Sequence, residues 1–214
     1  MITISRTINK ASSWKIIKDA LEQNDVHCQI GDVVTSELRN GNVQEWAITD
    51  FGSDYIRFEA KDCIKGVKQK MNRDCTNVGG IASSLMQEYL NNDIWNLLPG
   101  DLQDVISTVD RKYMDGAEEK TYQTKLFLPS VSEVFSADCR YGEESLYEQL
   151  YYYKDCHHRI KLSGFGDDPA NWWLSSPLSG YAKSFCYVTT AGAPYSSSAS
   201  GSRDVAPCFM IMKS

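Results

Sequence analysis

The last part of the chain, residues 171–212, contains the pattern that most restricts how it can fold. Two apolar segments, 172–174 and 205–212, enclose a run dominated by Ser, Ala, Gly, Thr and Tyr. A linker of that composition would stay disordered, because it buries too little apolar surface to offset the loss of conformational entropy. The bulky flanks are instead typical of buried strands, which would hold the run between fixed ends. The stretch therefore predicts a binding surface on a rigid frame.

Composition and charge argue against several classes of function. The 214 residues are 42% hydrophobic and 23% charged, which is ordinary for a globular chain. The net charge of −6 and the lack of a long basic run argue against nucleic-acid binding. No apolar run approaches the ~20 residues that span a bilayer, so no membrane insertion is expected. Residues 1–10 lack the apolar core of a secretory signal, which predicts cytoplasmic synthesis without a signal peptide.

The first third of the chain predicts a helix followed by antiparallel strands. Residues 12–24 form the clearest helix, with Ser12 or Ser13 as its cap and an apolar stripe that begins at Trp14. The segments that follow are rich in β-branched and aromatic residues and are separated by turn signals. The predicted strands are residues 30–34, 43–49 and 55–60.

From residue 71 to 110 the spacing of apolar residues becomes helical. Ser84 and Gln87 predict a capping box for one helix, which ends at Pro99, and Asp101 is the predicted cap of the next. The sequence contains no internal repeat and no long linker, so we predict one α+β domain over residues 1–214. The remaining predictions are a solvated loop at 111–124, a short buried strand at 125–130 and a turn of helix at 131–135.

Several motifs, in order along nearly the whole chain, resemble those of a family of uncharacterised bacterial and phage proteins. That family runs from W-x-x-I through I-G-D, M-N-x-x-x-T-N-x-G-G and L-P-x-D-L-Q-x-V-I to W-W-L-R-S-P and G-V-A-P-A-F. Ser175 departs from the pattern by replacing Arg, which removes an ion pair if that Arg forms one in relatives, and Asp204 replaces Gly. The matching segments here are 14–17, 30–32, 71–80, 98–106, 172–177 and 204–209.

The terminal part is also similar to the C-type-lectin-like fold, and more narrowly to the variable proteins of diversity-generating retroelements, which include phage tropism determinants. In those proteins, adenine-directed mutagenesis varies a C-terminal stretch between fixed flanks. Asn-type codons randomised at adenines cannot encode Lys, Glu, Gln, Met or Trp, and from residue 178 to 202 only Lys183 belongs to these types. A plain serine-rich loop would have the same composition. The resemblance implies an α+β, C-type-lectin-like fold with antiparallel strands, two or three helices and much irregular loop.

The tyrosines of residues 178–203 are the predicted anchors of a ligand-binding surface. Mixed Tyr, Ser, Gly and Ala is the composition of antibody paratopes, in which Tyr supplies rigid contact area and small residues adapt. The alternative is that the tyrosines pack on the domain and the serines solvate a loop. We assign Trp172 and Trp173 to the core, because such a surface needs a rigid base. The predicted ligand-binding residues are Ser179, Tyr181, Lys183, Tyr187, Thr189, Ala193, Tyr195, Ser196, Ser198 and Ser200.

Neither a metal site nor a cofactor is predicted. D-C-H-H at 155–158 is the only compact cluster of metal-ligand types in the sequence, and surface or packing histidines explain it more simply. The calcium-dependent sugar triplets Glu-Pro-Asn and Trp-Asn-Asp are absent, which argues against calcium-mediated sugar binding. The seven cysteines include no C-x-x-C and are read mostly as small buried residues. One enzyme alternative is a formylglycine-generating oxidase, which would need Cys186 and Cys208 on neighbouring strands.

The expected function is therefore a non-enzymatic binding protein, phage or prophage encoded, whose ligand is a protein or glycan on a target cell surface. The resemblance implies association with a virion and leaves a homo-oligomer open. The alternative is a structural phage or prophage accessory protein that acts through assembly contacts and whose serine-rich loop is inert.

Overall fold

Strands account for most of the regular structure in the computed structural model, which describes residues 2–3, 14–136, 139, 141 and 146–214. In chain order the strands are β1 (Ile2–Thr3), β2 (Val26–His27), β3 (Val33–Glu37), β4 (Val43–Phe51), β5 (Tyr55–Ala60), β6 (Lys68–Lys70), β7 (Val109–Asp115), β8 (Glu118–Thr124), β9 (Trp172–Pro177), β10 (Ser184–Val188), β11 (Pro194–Ser198), β12 (Ser202–Asp204) and β13 (Cys208–Met212). The helices are α1 (Trp14–Glu22), α2 (Leu85–Tyr89), α3 (Trp95–Leu97), α4 (Gly100–Gln103) and α5 (Val131–Phe135), with a π-helical turn at Leu90–Ile94 and 3₁₀ turns at Tyr151–Lys154 and Cys156–Arg159.

Two larger sheets contain nine of these strands. One has four strands in the order β13-β5-β4-β3, and the other has five in the order β11-β10-β9-β12-β6. The neighbours within them are antiparallel except β12 and β9, which are parallel. The prediction of an α+β fold with antiparallel strands is confirmed. The chain passes from one sheet to the other between β12 and β13, in residues 205–207.

Aromatic rings link α1 to the four-stranded sheet. Phe209 of β13 stacks on Phe58 of β5 with ring centroids 5.2 Å apart, and it contacts Trp14 and Trp46 edge-on at 5.7 and 5.1 Å. All four side chains are buried. The predicted helix at 12–24 is observed over Trp14–Glu22, and its predicted caps Ser12 and Ser13 lie outside the described residues.

A buried carboxylate at the start of α5 binds two arginines. Ser130 caps this helix in a capping box with Glu133, as the backbone N–H of Ser130 donates to Glu133 Oε2 at 2.7 Å. Arg111 of β7 donates to the same carboxylate at 2.7 Å, and Arg57 of β5 pairs with its other oxygen. Glu133 therefore joins the β7–β8 hairpin to the four-stranded sheet.

A second buried ion pair joins the irregular segment 151–170 to β5. Lys161 Nζ lies 3.1 Å from Glu59 Oε1 and donates to the carbonyl oxygen of Ala60 at 2.6 Å. The Tyr153 hydroxyl also donates to Glu59. All of these side chains are buried, so the charges compensate each other inside the protein.

The charged segment 111–124 is a β-hairpin, so the prediction of a solvated loop is wrong. β7 and β8 pair over their full length around a turn at Gly116, whose φ of 62° favours glycine. Its charges are satisfied between the strands, for example by a 2.7 Å ion pair from Lys112 to Glu119. Charge alone was therefore a poor guide here, because a paired strand can also carry charged side chains at the surface: Lys112 in β7 and Glu119 in β8 are both exposed.

Two further predictions near the middle of the chain need correction. Asp101 does not cap a long helix: α4 begins after Pro99 and ends at Gln103, while Asp101 accepts a hydrogen bond from the backbone N–H of Trp14 at 3.3 Å. Residues 125–130 are not a strand, since only Phe127 forms a bridge, to Cys208. Ser84 does cap α2, accepting from the backbone N–H of Gln87 at 3.0 Å, but the predicted capping box is incomplete because the Gln87 side chain donates to Thr124 instead. The helix turn at 131–135 is confirmed. In the described part of the chain, every helix is too short or too polar to cross a bilayer.

Candidate ligand-binding surface

Residues 178–202 occupy one end of the five-stranded sheet and the turns beside it. None of the predicted ligand-binding residues is buried. The exposed fractions of Tyr181 and Tyr195 are 67% and 52%. The position of this region on a sheet surface agrees with the prediction, and ligand contact itself stays a prediction. The exposed members are Ser179, Tyr181, Lys183, Ala193 and Tyr195, and the half-buried members are Tyr187, Thr189, Ser196, Ser198 and Ser200.

The frame beneath this region is buried. Trp172 and Trp173 have no exposed surface, which confirms their assignment to the core. Each indole N–H is also satisfied, since Trp172 donates to the carbonyl of Arg159 at 3.0 Å and Trp173 to that of Gln69 at 2.8 Å. These bonds hold both rings in place, since breaking one would leave a buried donor without a partner and would destabilise the fold.

Rings from three adjacent strands form a row across one face of the sheet. Tyr195 of β11 is paired with Tyr187 of β10, which is paired with Trp173 of β9, so all three point to the same face. Their ring centroids are 5.8 and 6.0 Å apart, in edge-to-face geometry. The ring of Tyr141 extends the row and lies 5.7 Å from Tyr195. Such contacts hold the rings in defined orientations.

Arg203 of β12 adds a cation to this row. Its guanidinium carbon lies 4.0 Å from the ring centroid of Tyr187 and 5.1 Å from that of Trp173. Its Nε is buried and has no hydrogen-bond partner. Among the residues that the structure describes, no carboxylate lies within ion-pair distance of this guanidinium. We call Trp173, Tyr187, Tyr195 and Arg203 the ring face.

Three of the predicted polar contacts stabilise turns within the protein. The hydroxyls of Ser198 and Ser200 are 2.9 Å apart, and Ser198 Oγ also lies 3.1 Å from the thiol of Cys75. Thr189 Oγ1 accepts from the backbone N–H of Ala193 at 3.1 Å. These hydroxyls fix the turns on either side of β11, so the aromatic side chains are the better candidates for ligand contact.

A groove of about 820 Å³ lies beside Tyr181, between the 177–182 loop and the tip of the β7–β8 hairpin. Val78 forms part of its wall and is 72% exposed. The carboxylate of Asp115, also in the wall, binds Lys120 at 2.7 Å and the backbone N–H of Gly79 at 2.8 Å. These hydrogen bonds, chiefly that of Lys120, lower the pKa of Asp115. The groove therefore presents apolar surface beside a satisfied ion pair.

Asn77 holds the loop that carries Tyr181. Its side-chain N–H groups donate to the carbonyl oxygens of Tyr181 and Ser184 at 2.8 and 2.9 Å. Asn77 is the second asparagine of the motif M-N-R-D-C-T-N-V-G-G. This motif, far upstream in the sequence, therefore supports the loop of Tyr181. Asn77 could have been identified from this motif, whereas no pattern in the sequence singles out Arg203 or Tyr141.

The Asp204 substitution also has a local explanation. Its Oδ1 accepts from the hydroxyl of Ser163 at 2.7 Å and from the backbone N–H of Gly164 at 3.0 Å. Lys68 lies 3.6 Å from its other oxygen. A glycine could make none of these side-chain contacts, so Asp204 ties the 163–164 turn to β12. Ser175, the other departure, is half-buried, and its backbone N–H donates to Pro129.

The potential metal ligands form an exposed cluster. One ligand atom from each of Asp155, Cys156 and His157 lies within 4.8 Å of the others, so these side chains could hold a metal. His157 Nδ1 already contacts Asp155 at 2.9 Å. His158 points elsewhere, because its ring stacks on Tyr152 at 4.0 Å and its Nδ1 contacts the Tyr152 carbonyl. Within D-C-H-H, Asp155 therefore caps the 3₁₀ turn Cys156–Arg159, whereas His158 packs against Tyr152.

The expectation that Cys186 and Cys208 lie on neighbouring strands is wrong. Cys186 is in β10 of the five-stranded sheet and Cys208 is in β13 of the four-stranded sheet. Both side chains are buried, and burial raises the pKa of the Cys208 thiol well above its usual value. The geometric basis for an oxidase with this cysteine pair is therefore absent.

Comparison with known proteins gives one match. The model of the family described as Domain of unknown function (DUF6273) matches residues 52–213. This region includes both buried flanks and the whole ring face. No curated protein and no solved structure matches the chain.

Proposed function

The chain belongs to the DUF6273 family, and we propose that it is a non-enzymatic ligand-binding protein of C-type-lectin-like fold, encoded by a phage or prophage. One contrast carries the proposal. The flanks of residues 178–202 are buried, while every predicted contact residue between them has exposed surface. Side chains on such a surface can make contacts with a ligand without being needed for the core.

The arrangement is compatible with a diversified surface. Residues 178–202 contain only one residue, Lys183, that randomised Asn-type codons cannot encode. Within the run, Phe185, Cys186 and Val188 are buried, and we expect them to vary least. The exposed turns and the outward side chains of β11 could change with little effect on the fold.

The ligand class that fits this surface is a protein or glycan on a target cell. Both the ring face and the groove offer preformed aromatic contact area with neighbouring hydrogen-bonding groups. Binding would arise from this contact area on a fixed scaffold, with no bond made or broken. The mostly antiparallel sheets, short helices and long connections are also what the proposed lectin-like fold requires.

Replacing Tyr181 and Tyr195 together by Ser tests this function. We expect binding to fall by about 100-fold or more, because exposed rings of this kind act as hot spots. The free energy of unfolding should fall by less than about 2 kcal/mol, since Tyr181 is exposed and Tyr195 loses only ring contacts. The labelled full chain is assayed on a panel of bacterial cells and on a glycan array, with unfolding followed in denaturant.

Tyr151→Ser is the matched control. Tyr151 is 71% exposed but lies in the 3₁₀ turn Tyr151–Lys154, outside the proposed surface, so its variant should bind normally. Equal loss in the control, or full binding by the double variant, would contradict the site. A large loss of stability in the double variant would mean that these rings belong to the core.

The alternative function, a structural accessory protein, has one observation in its favour. Ile160 and Phe165 leave 40% and 62% of their surface exposed, in a segment outside the ring face. Sequencing the DNA around the gene separates the two functions. A reverse-transcriptase gene with a repeat that matches codons 172–211 except at adenines supports the diversified surface, and its absence favours the accessory protein.

A further inference from the structure

We propose that Arg203 is the anchor of this surface and binds a carboxylate of a protein partner, from an Asp or Glu side chain. This inference rests on the proposed binding function and specifies the chemistry of the ligand. It assigns a role to a residue outside the predicted contact set.

The guanidinium is held in a defined orientation. It lies over the ring of Tyr187 at 4.0 Å and near Trp173 at 5.1 Å, and Trp173 is fixed by its bond to Gln69. A guanidinium stacked on aromatic rings keeps its planar edge free for a second partner. Since little side-chain entropy remains to be lost, such an arginine is preorganised for binding.

Arg203 also differs from the buried cations of this protein. Arg57 and Arg111 share Glu133, and Lys161 pairs with Glu59. Arg203 has no carboxylate within ion-pair distance in the described part of the chain, and its Nε, like that of Arg57, is buried without a hydrogen-bond partner. A cation that has lost part of its hydration without gaining a counter-charge favours an anion from outside.

The geometry favours a carboxylate. The fork of a guanidinium matches two carboxylate oxygens, and charge-assisted bonds of this kind are about twice as strong as neutral ones. Gln69 lies directly opposite Arg203 in the β12–β6 register, which places a second polar side chain beside the same position.

The surrounding residues favour a protein over a sugar. Trp, Tyr and Arg are the residue types most enriched in the hot spots of protein interfaces. Of these, Tyr187 and Arg203 are half-buried neighbours and Tyr195 is exposed, while Trp173 lies beneath them without exposed surface. The chain carries a net charge of −6, so an acidic partner would be attracted by this local site and not by the overall charge.

The test is an NMR titration of the full-length protein with N-acetylglutamate, with N-acetylglutamine as the neutral control. We expect a saturable shift of the Arg203 Nε–Hε signal with the acid only, with a Kd in the millimolar range. Arg203→Gln should abolish binding, followed through neighbouring backbone amides. Arg203→Lys should weaken it by about tenfold, because lysine lacks the planar fork. Arg73→Gln, the same change at an exposed arginine of another loop, should leave it unchanged.

Several results would overturn the inference. These are an equal response to N-acetylglutamine, an unchanged response in a folded Arg203→Gln protein, or binding of glucuronate without binding of N-acetylglutamate. The last would make an acidic sugar the ligand. Loss of cell binding in the Tyr181 and Tyr195 double variant, together with no carboxylate response, would sustain the proposed function and reject the Arg203 anchor.

Discussion

Replacing Glu133 by Ala is expected to lower the free energy of unfolding by about 3–5 kcal/mol, the range found when one partner of a buried ion pair is removed. The substitution would leave Arg57 and Arg111 buried without a counter-charge and would remove the capping box of α5. Denaturant unfolding of the variant and wild type measures the difference.

Glu119→Ala is the matched control. Glu119 pairs with Lys112 at 2.7 Å, but about half of each side chain is exposed, and surface pairs contribute only about 0–1 kcal/mol. A loss below about 1 kcal/mol in the Glu133 variant, which is what a surface pair would give, would show that this network does not stabilise the fold.

The same network predicts a loss of stability in acid. Burial would raise the pKa of Glu133, but Arg111 and Arg57 outweigh it and hold the pKa at about 2, against an ordinary value of 4.5. A carboxyl whose pKa is lower in the folded state stabilises the protein above its unfolded pKa. Its contribution should therefore be complete above about pH 4.5 and should disappear as the pH falls towards 2. Unfolding across this range should show a steeper decline for wild type than for Glu133→Ala.

Replacing Phe209 by Ala should lower the free energy of unfolding by about 3–5 kcal/mol. The Phe209 ring contacts Trp14, Trp46 and Phe58 and is fully buried, so its removal leaves a cavity between α1 and the four-stranded sheet. Thermal and denaturant unfolding measure the effect.

Phe165→Ala provides the comparison for this prediction. Phe165 is 62% exposed and contacts Lys68 over its ring, so its loss should cost no more than about 1 kcal/mol. Similar losses in the two variants would mean that the β13 flank does not form a rigid frame. Binding by Phe209→Ala should weaken only in proportion to the unfolded fraction.

The flanking strands could be predicted from the sequence because their large apolar side chains have to be buried. Trp172, Trp173 and Phe209 could hardly be accommodated anywhere except in a core. The β7–β8 hairpin was missed because its residues satisfy one another across the strands, which a reading of single residues does not register. The helix expected after Asp101 ends early, because Ser107 donates its backbone N–H to Met210 and the chain turns towards β13.

The candidate site could be predicted only in part. Tyr187 and Tyr195 stood out by residue type, and their strands follow each other in sequence. Arg203 meets them through the parallel pairing of β12 with β9, and the groove needs the distant β7–β8 hairpin. Both are consequences of topology, which local patterns do not specify.

The strand partners of the last two strands lie far upstream in the chain. β12 pairs with β6, β13 pairs with β5, and Asn77 supports the loop at Tyr181. An excised C-terminal peptide would therefore lose its neighbours on both sides and should not fold by itself. A graft of this surface onto another scaffold would have to bring residues 55–77 with it.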